Sequence, residues 1–471
     1  MQFKISEAGV KFGTSGVRGL VTDLTDRVCY GFAKAFWQAC GEGEVVVVGH
    51  DLRPSSPEIT QAVIAALSAE GLRVIYVGAL ATPAIAYYAA TFNAPAVVVT
   101  GSHIPFDRNG IKFYNAKGEI GKREEQAIAT ATVDVPEAIS LKALPAIDAG
   151  AEQAYLARYL DFFGSDLCDG LRVAIYQHSS VARDLIAKLF EQMGAEVIAL
   201  GRTEQFVPID TEAVRAEDRK QAKVWAKEGD FDLLVSTDGD ADRPLIGDER
   251  GDFLRGDIVG VLTAYFLGAD TVVTPVSSNT ALEKSNWFKE TLRTQIGSPY
   301  VIAGMEQAEG VVAGFEANGG FLLGSDLSIN GNLLSALPTR DAILPMLAII
   351  ALAIQHETPV SRLTKLLPAR FTASDRIPEI PTAWSQELLA KLNAGDVHFS
   401  SLVEGEQSGI QTVDQTDGYR VTFTSGNVVH LRPSGNAPEL RCYAESDNES
   451  TAEALCAGTL NCVAELYKSS I

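Results

Sequence analysis

Short β-branched runs alternate with helix-length segments from residue 45 onward, and that alternation leaves few folds open to the chain. VVVVG (Val45 to Gly49) reads as a buried strand ending in glycine. Ser55-Ser56-Pro57-Glu58 then supplies a serine cap, a first-turn proline and an acid, leading into the helical ITQAVIAALSAEG. LRVIYVG reads as a second strand, AIAYYAATF as a helix, and APAVVVTGS as a third strand running into a glycine turn. A β-α-β-α-β series of this kind predicts a doubly wound parallel sheet.

The same order recurs twice. LRVAIYQ, ARDLIAKLFEQMGA, EVIALG and FDLLVSTDGD form one set, and DIVGVLTAYFLGA, TVVTPVS and GVVAGFEANGG form another. From about Phe371 the text changes to alternating residues with tight turns, GYRVTFTSGNVVHLRPSGNAPELRCYAE, followed by a helix from Thr451 to Tyr467. A chain of 471 residues exceeds a single core, so division is expected. The fold class is α/β: three similar doubly wound mixed α/β domains, 1–150, 151–255 and 256–370, then a smaller α+β C-terminal domain, 371–471, around one central cleft.

A formal net charge of −21 argues against nucleic-acid or anionic-membrane partners, which it would repel. A small phosphorylated substrate remains open, provided local Lys and Arg overcome the background field. The six cysteines make no C-x-x-C pair, so zinc and a disulfide framework are not expected, and a reduced cytoplasm fits best. The N-terminal MQFKISEAGVKFG lacks the apolar core of a secretion signal. The longest apolar stretch, Ala342 to Ile354, is shorter than the ~20 residues of a bilayer span and reads as a buried helix.

Five segments stand out chemically. TGSHIP places Ser102 and His103 just past a strand, where such folds put ligands; the serine suits a nucleophile or phosphate carrier, or simply a turn. Asn109-Gly110-Ile111-Lys112 adds a turn and a cation nearby. LLVSTDGDADR alternates Asp238, Asp240 and Asp242, whose mutual repulsion calls for a hard, oxygen-bound cation such as magnesium or calcium. An EF-hand fails at its sixth position, where Arg243 replaces glycine, and a haloacid-type phosphatase would leave Ser102 idle. In GFEANGG, Glu316 and Asn318 suit sugar hydroxyls, or form an ordinary β-turn. In RPSGNAPELR, Arg432, Ser434, Gly435 and Asn436 suit a phosphate, or a hairpin loop. KFGTSGVRG contributes Thr14, Ser15 and Arg18 without the order of a nucleotide-binding P-loop.

Together, FGTSGVRG, TGSHIPFDRNGIKFY, DGDADR, GFEANGG and RPSGNAPELR resemble, in order and spacing, the α-D-phosphohexomutase family, particularly its bacterial phosphomannomutases. The resemblance implies four domains around a cleft, with Ser102 as the phosphoserine and one Mg2+ held by Ser102, Asp238, Asp240 and Asp242. Arg243 would lie beside the metal. Glu316 and Asn318 would read the sugar, and Arg432, Ser434, Gly435 and Asn436 would hold the non-reacting phosphate. Arg18 and Lys112 would flank the phosphoserine as charge stabilisers or proton-transfer partners, with His103 adjacent. Three departures are visible: Gly101 and Ile104 in the usual T-A-S-H-N-P, Asn318 and Gly320 where G-E-x-S-G is often followed by histidine, and Asn436-Ala437 in S-G-T-E-P.

The implied reaction passes a phosphoryl group from Ser102 to a hexose monophosphate, through a bound hexose 1,6-bisphosphate that also serves as activator. Mannose phosphate fits the resemblance best and would feed GDP-mannose and polysaccharide synthesis; glucose phosphate competes closely and glucosamine phosphate less so. A sugar-phosphate phosphatase and a non-catalytic binding protein are the alternatives from other classes. The expected partner is a phosphorylated hexose, with no nucleic acid and no membrane, and the chain is expected to be a monomer or weak homo-oligomer in the cytoplasm.

Overall fold

The computed structural model describes residues 1–13, 15–434 and 438–470. Thr14, Gly435 and Asn436, singled out above, lie outside the described residues.

Three sheets share one wiring. In the first, strand Val45–His50 pairs in parallel with Arg73–Ala79 on one side and Ala96–Val99 on the other, and Ala96–Val99 then pairs antiparallel with Arg108–Asn115. Arg172–Tyr176, Glu196–Leu200, Leu233–Thr237 and Pro244–Asp248 repeat this order and these directions. So do Thr271–Pro275, Glu290–Thr294, Val312–Phe315 and Phe321–Leu323. The three strands of each set are parallel, as the β-α-β-α-β reading expects, and a fourth strand outside that reading returns antiparallel and makes each sheet mixed. The links before it, residues 100–107, 238–243 and 316–320, are too short for the dozen or more residues of a parallel crossover, so the chain must turn straight back. Asn109-Gly110, read as a turn, lies inside that returning strand. Consequently TGSHIP, DGDADR and EANGG all occupy the same topological position, at the carboxyl end of the third strand.

Helices cover both faces of the first sheet. Asp26–Cys40 and Ser56–Ala69 pack on one side over Val46, Val48, Val97 and Phe113. On the other side a single apolar core runs from Val47 and Ile85 through Tyr155 and Leu185 to Phe315 and Leu344, joining all three α/β units without a break. The helix Ile343–Gln355 is buried in it, as the apolar stretch predicts. Among the described residues no single helix is long and apolar enough to cross a membrane.

The C-terminal part is an antiparallel sheet of five strands with helices Thr382–Ala394 and Glu449–Ser470, around a separate core that includes Leu388, Phe399, Phe423 and Val463. Its attachment to the third unit is largely polar. Asn279 Nδ2 donates to the Arg370 carbonyl at 3.0 Å and to Thr372 Oγ1 at 2.9 Å, and Glu445 accepts from the Thr280 amide at 3.0 Å. A separate core behind a polar joint permits this part to move against the other three.

Buried His430 in this sheet places Nε2 2.5 Å from the Asp417 carbonyl, and burial, helped by Arg420 and Arg432, pushes its pKa down to about 4. The folded value lies below the unfolded value of about 6.5, so its contribution is intact above pH 6.5 and is lost as pH falls towards 4. Thermal denaturation at pH 7 and 5.5 should show a loss of roughly 1 kcal/mol from this group, absent in His430→Gln. Equal pH dependence in the two proteins would exclude it.

Candidate active site

The serine loop is built around a buried arginine. Arg53 Nη1 donates to the carbonyls of Pro105 (2.7 Å) and Arg108 (2.9 Å), and Nη2 to those of Ser102 (3.0 Å) and Ile104 (2.5 Å). Its guanidinium also lies 3.9 Å from the centre of the Phe206 ring. Asp51 secures the other side of the loop, accepting from Thr100 Oγ1 at 2.8 Å and the Gly101 amide at 3.2 Å. The two serines read as a helix cap belong to this scaffold: Ser56 Oγ donates to Asp51 at 2.6 Å, and Asn109 Nδ2 donates to both hydroxyls. The off-pattern Gly101 follows from the same packing, since a Cβ there would lie 2.5 Å from Arg53 Cζ and Nε.

So held, Ser102 adopts φ 51°, in the left-handed region, a conformation costing of order 1–3 kcal/mol for a non-glycine residue. Its amide donates to Thr100 Oγ1 at 2.8 Å, and its hydroxyl donates to Asp238 Oδ2 at 2.6 Å. His103 Nδ1 lies 3.2 Å from Ser102 Oγ and 2.9 Å from Arg243 Nη1. Burial first, then Arg243 and Arg18, push His103 down to about 3, so its ring is neutral near pH 7.

Across from the serine, Asp238, Asp240 and Asp242 each offer an oxygen within 4.8 Å of the others. All three are at most 1% exposed. Burial, together with Asp240 and Asp242, pushes Asp238 well above the usual carboxylate range. Burial opposes the charge on Asp242 too, but Arg340, Lys112 and Arg243 overcome it and hold that carboxyl well below the usual range. Lys112 Nζ donates to Asp240 Oδ2 at 2.6 Å and to Asp242 Oδ2 at 2.5 Å. Burial alone would lower the lysine; the two aspartates raise it instead. Burial, with Arg243 and Arg340, lowers Arg18 to about 10, so it too stays charged.

Two buried oxygens, Asp240 Oδ1 and Asp242 Oδ1, have no hydrogen-bond partner. Orphaned carboxylate oxygens are costly in a protein interior, and an all-oxygen set suits a hard divalent cation. The residues present thus fit a magnesium ion.

Among the sequence candidates, Ser102, His103, Lys112, Asp238, Asp240, Asp242 and Arg243 meet in one cluster, and Arg18 acts on it electrostatically. Glu316 joins through Arg340, at 3.2 Å. Asn318 lies beside it in the same loop, its carbonyl accepting from Thr211 at 2.6 Å and its side chain accepting from the Gly320 amide. Arg432 pairs with Asp417 at 2.8 Å within the C-terminal part, and buried Ser434 donates its amide to the Glu439 carbonyl. Sequence reading missed Arg53, Asp51, Arg340 and Thr82, whose Oγ1 donates to Asp240 Oδ2 at 2.7 Å. None of them falls in a glycine-rich segment. It also missed a cavity of about 330 Å³ lined by Asp210, Glu212, Arg376, Arg441 and Tyr443, between the second unit and the C-terminal part.

Comparison with known proteins covers nearly the whole chain. Residues 9–137, 154–251 and 255–371 match alpha/beta/alpha domains I, II and III described for phosphoglucomutase/phosphomannomutase, and 386–461 match its C-terminal domain. A phosphomannomutase of Salmonella muenchen is 46% identical, covering 95% of this chain and 94% of that protein. One from Sinorhizobium fredii is 43% identical over 95% and 98%. A crystal structure of a phosphoglucomutase/phosphomannomutase family protein from Burkholderia thailandensis superposes with a TM-score of 0.76 at 20% identity, over 99% of this chain and 97% of that one.

Metal binding by the aspartate cluster should register in stability. Magnesium at about 100 times its dissociation constant should stabilise the folded protein by about 2.7 kcal/mol, read as a rise in Tm over an EDTA control. Asp240→Asn and Asp242→Asn should lose most of that rise. An unchanged rise in both variants would place the ion elsewhere.

Proposed function

This chain belongs to the phosphoglucomutase/phosphomannomutase family, and on that premise we propose that it interconverts mannose 6-phosphate and mannose 1-phosphate through a phosphoserine at residue 102 and a bound hexose 1,6-bisphosphate. The observation that carries the reading is the seat of Ser102: a strained, buried serine whose hydroxyl meets Asp238 at 2.6 Å, beside two carboxylates that each have one buried oxygen accepting no hydrogen bond. A turn serine has no need of such surroundings, whereas a phosphoryl carrier does.

In the forward step a hydroxyl oxygen of the hexose monophosphate bonds to the phosphorus on Ser102 as the bond from phosphorus to Oγ breaks. The serine oxygen keeps the electron pair of the broken bond, and the proton given up by the hydroxyl ends on that oxygen. The bisphosphate then turns around, and its other phosphoryl group returns to Ser102 by the reverse exchange. Such transfers depend on positioning and charge neutralisation more than on a strong base. Asp238, Asp240, Asp242 and the serine oxygen would hold one Mg2+, which supplies electrostatic stabilisation to the transferring group. Lys112, fixed between two of the aspartates, and Arg18 balance the charge from the other side. His103 braces the serine against Arg243. Glu316 and Asn318 read the sugar hydroxyls, while Arg432, Ser434, Gly435 and Asn436 hold the phosphate that is not reacting.

The separate core and polar joint of the C-terminal part support a motion that lets the intermediate turn while it stays bound. Division near 150, 255 and 370 is supported by the three repeated sheets and the final antiparallel one. The same reading makes this a cytoplasmic enzyme acting on a free phosphosugar, as a monomer or weak homo-oligomer.

Mannose is preferred over glucose because two relatives above 40% identity carry the phosphomannomutase name. Initial rates on mannose, glucose and glucosamine 6-phosphates, with magnesium and a hexose 1,6-bisphosphate, should give the highest kcat/KM for mannose 6-phosphate and no net release of inorganic phosphate. A higher kcat/KM for glucose 6-phosphate would reassign the substrate. Stoichiometric phosphate release would make the protein a phosphatase.

A further inference from the structure

Beside the carboxylates lies a cation that none of the glycine-rich segments contains. Arg340 sits on the strand Leu337–Asp341 with its side chain 1% exposed. Its Nη2 is 2.9 Å from Asp242 Oδ2 and donates to Ser15 Oγ at 3.2 Å, and its Nη1 donates to Glu316 Oε2 at 3.2 Å. Glu119 Oε1 lies 3.8 Å away and accepts from Ser15. One planar guanidinium thus touches the aspartate loop, the sugar-loop glutamate and the N-terminal glycine-rich run, which belong to three different sheets.

Its own position is over-determined. The next residue, Asp341, accepts from the hydroxyls of Tyr155 and Tyr159 on helix Gly150–Phe163. The same helix sends Arg158 to the Ser335 hydroxyl and carbonyl, each at 2.7 Å.

Two independent observations give Arg340 more than a packing role. The first is topological. In the first sheet the returning strand is flanked by an antiparallel strand, Val17–Leu20, that carries Arg18. In the third sheet the corresponding returning strand, Phe321–Leu323, is flanked by an antiparallel strand that carries Arg340. The two strands are counterparts under the repeat, and each brings an arginine into the field of Asp242. The second is steric. At Gly320, where the usual family pattern often has histidine, a Cβ would lie 2.8 Å from Arg340 Cδ and 2.9 Å from its Cγ. The arginine therefore fills space that a side chain at position 320 would take.

We propose that Arg340 is a positioning residue for the phosphoryl exchange: through the space left by Gly320 it locks Asp242 and Glu316 into one frame, so that the metal-binding loop and the sugar loop keep a fixed separation. A guanidinium fork can hold two carboxylates at once, whereas a lysine ammonium is a single point charge without that fixed geometry. Asp242 Oδ1 accepts no hydrogen bond and lies 3.5 Å from Arg243 Nε, while the fork holds Oδ2. The inference rests on the mutase reading above.

The test is steady-state kinetics on the full-length protein with mannose 6-phosphate and bisphosphate activator, alongside Mn2+ binding measured by electron paramagnetic resonance without substrate. Arg340→Met should lower kcat/KM by about 100-fold, the scale of a small misplacement of reacting groups. Arg340→Lys should recover only part of it. Mn2+ should still bind Arg340→Met, since the three aspartates remain; a merely structural lesion that collapsed the site would abolish binding. Combining Arg340→Met with Glu316→Gln should cost little more than the worse single change, because both break one network. Gly320→Ala, which crowds the arginine without removing its charge, should lower kcat/KM by at least about tenfold, and it decides the matter if Arg340→Met does not fold. Wild-type kcat/KM in a folded Arg340→Met or in Gly320→Ala, lost Mn2+ binding in folded Arg340→Met, or full additivity with Glu316→Gln, would overturn the proposal. Failure of the unmodified protein to convert mannose 6-phosphate would instead overturn the mutase reading.

Discussion

Three carboxylates packed within 4.8 Å inside a protein set the terms for everything around them. Each close pair of like charges costs roughly 4 kcal/mol at an effective dielectric constant of about 20, before desolvation is counted. The chain offsets this with cations drawn from separate sheets: Lys112 and Arg18 from the first, Arg243 from the second and Arg340 from the third. The compensation exists only while those sheets are docked, and the unbroken apolar core from Val47 to Leu344 keeps them docked. A net negative chain thereby acquires a locally balanced centre able to receive a phosphoryl group.

The repeat explains how such a centre is assembled. Three parallel strands followed by a short return put one loop per unit at equivalent positions, and docking turns those loops toward each other. Unit one supplies Ser102, unit two the three clustered aspartates and unit three Glu316. Each loop is stiffened from beneath, most visibly where Arg53 gathers four carbonyls around Ser102. The C-terminal part is built differently, with its own core and a polar joint.

Much of this was legible in the residues. The strand-helix rhythm, the antiparallel tail and the final helix, expected from Thr451 and observed from Glu449, follow from local periodicity. The antiparallel fourth strands were missed although loop length dictates them, because an apolar run does not announce its direction. Ser102, the aspartates, Lys112 and Glu316 could be singled out because glycine-rich loops mark where backbone and ligand approach. Arg340 and Arg53 could not, since they sit in ordinary strand and turn text and acquire meaning only from what they meet across the fold. Ser55 and Ser56 carry the opposite lesson: a good capping signature was diverted to bracing Asp51 and Asn109.

The central claim, that Ser102 carries the phosphoryl group, is tested most directly by mass spectrometry of peptides from protein incubated with magnesium and glucose 1,6-bisphosphate. The account predicts one phosphoryl group on the peptide containing Ser102, replacement of an isotopically labelled phosphoryl group there by an unlabelled one on addition of mannose 6-phosphate, and no labelling of Ser102→Ala. Phosphate on Asp238, or on any residue that labels equally in Ser102→Ala, would contradict it.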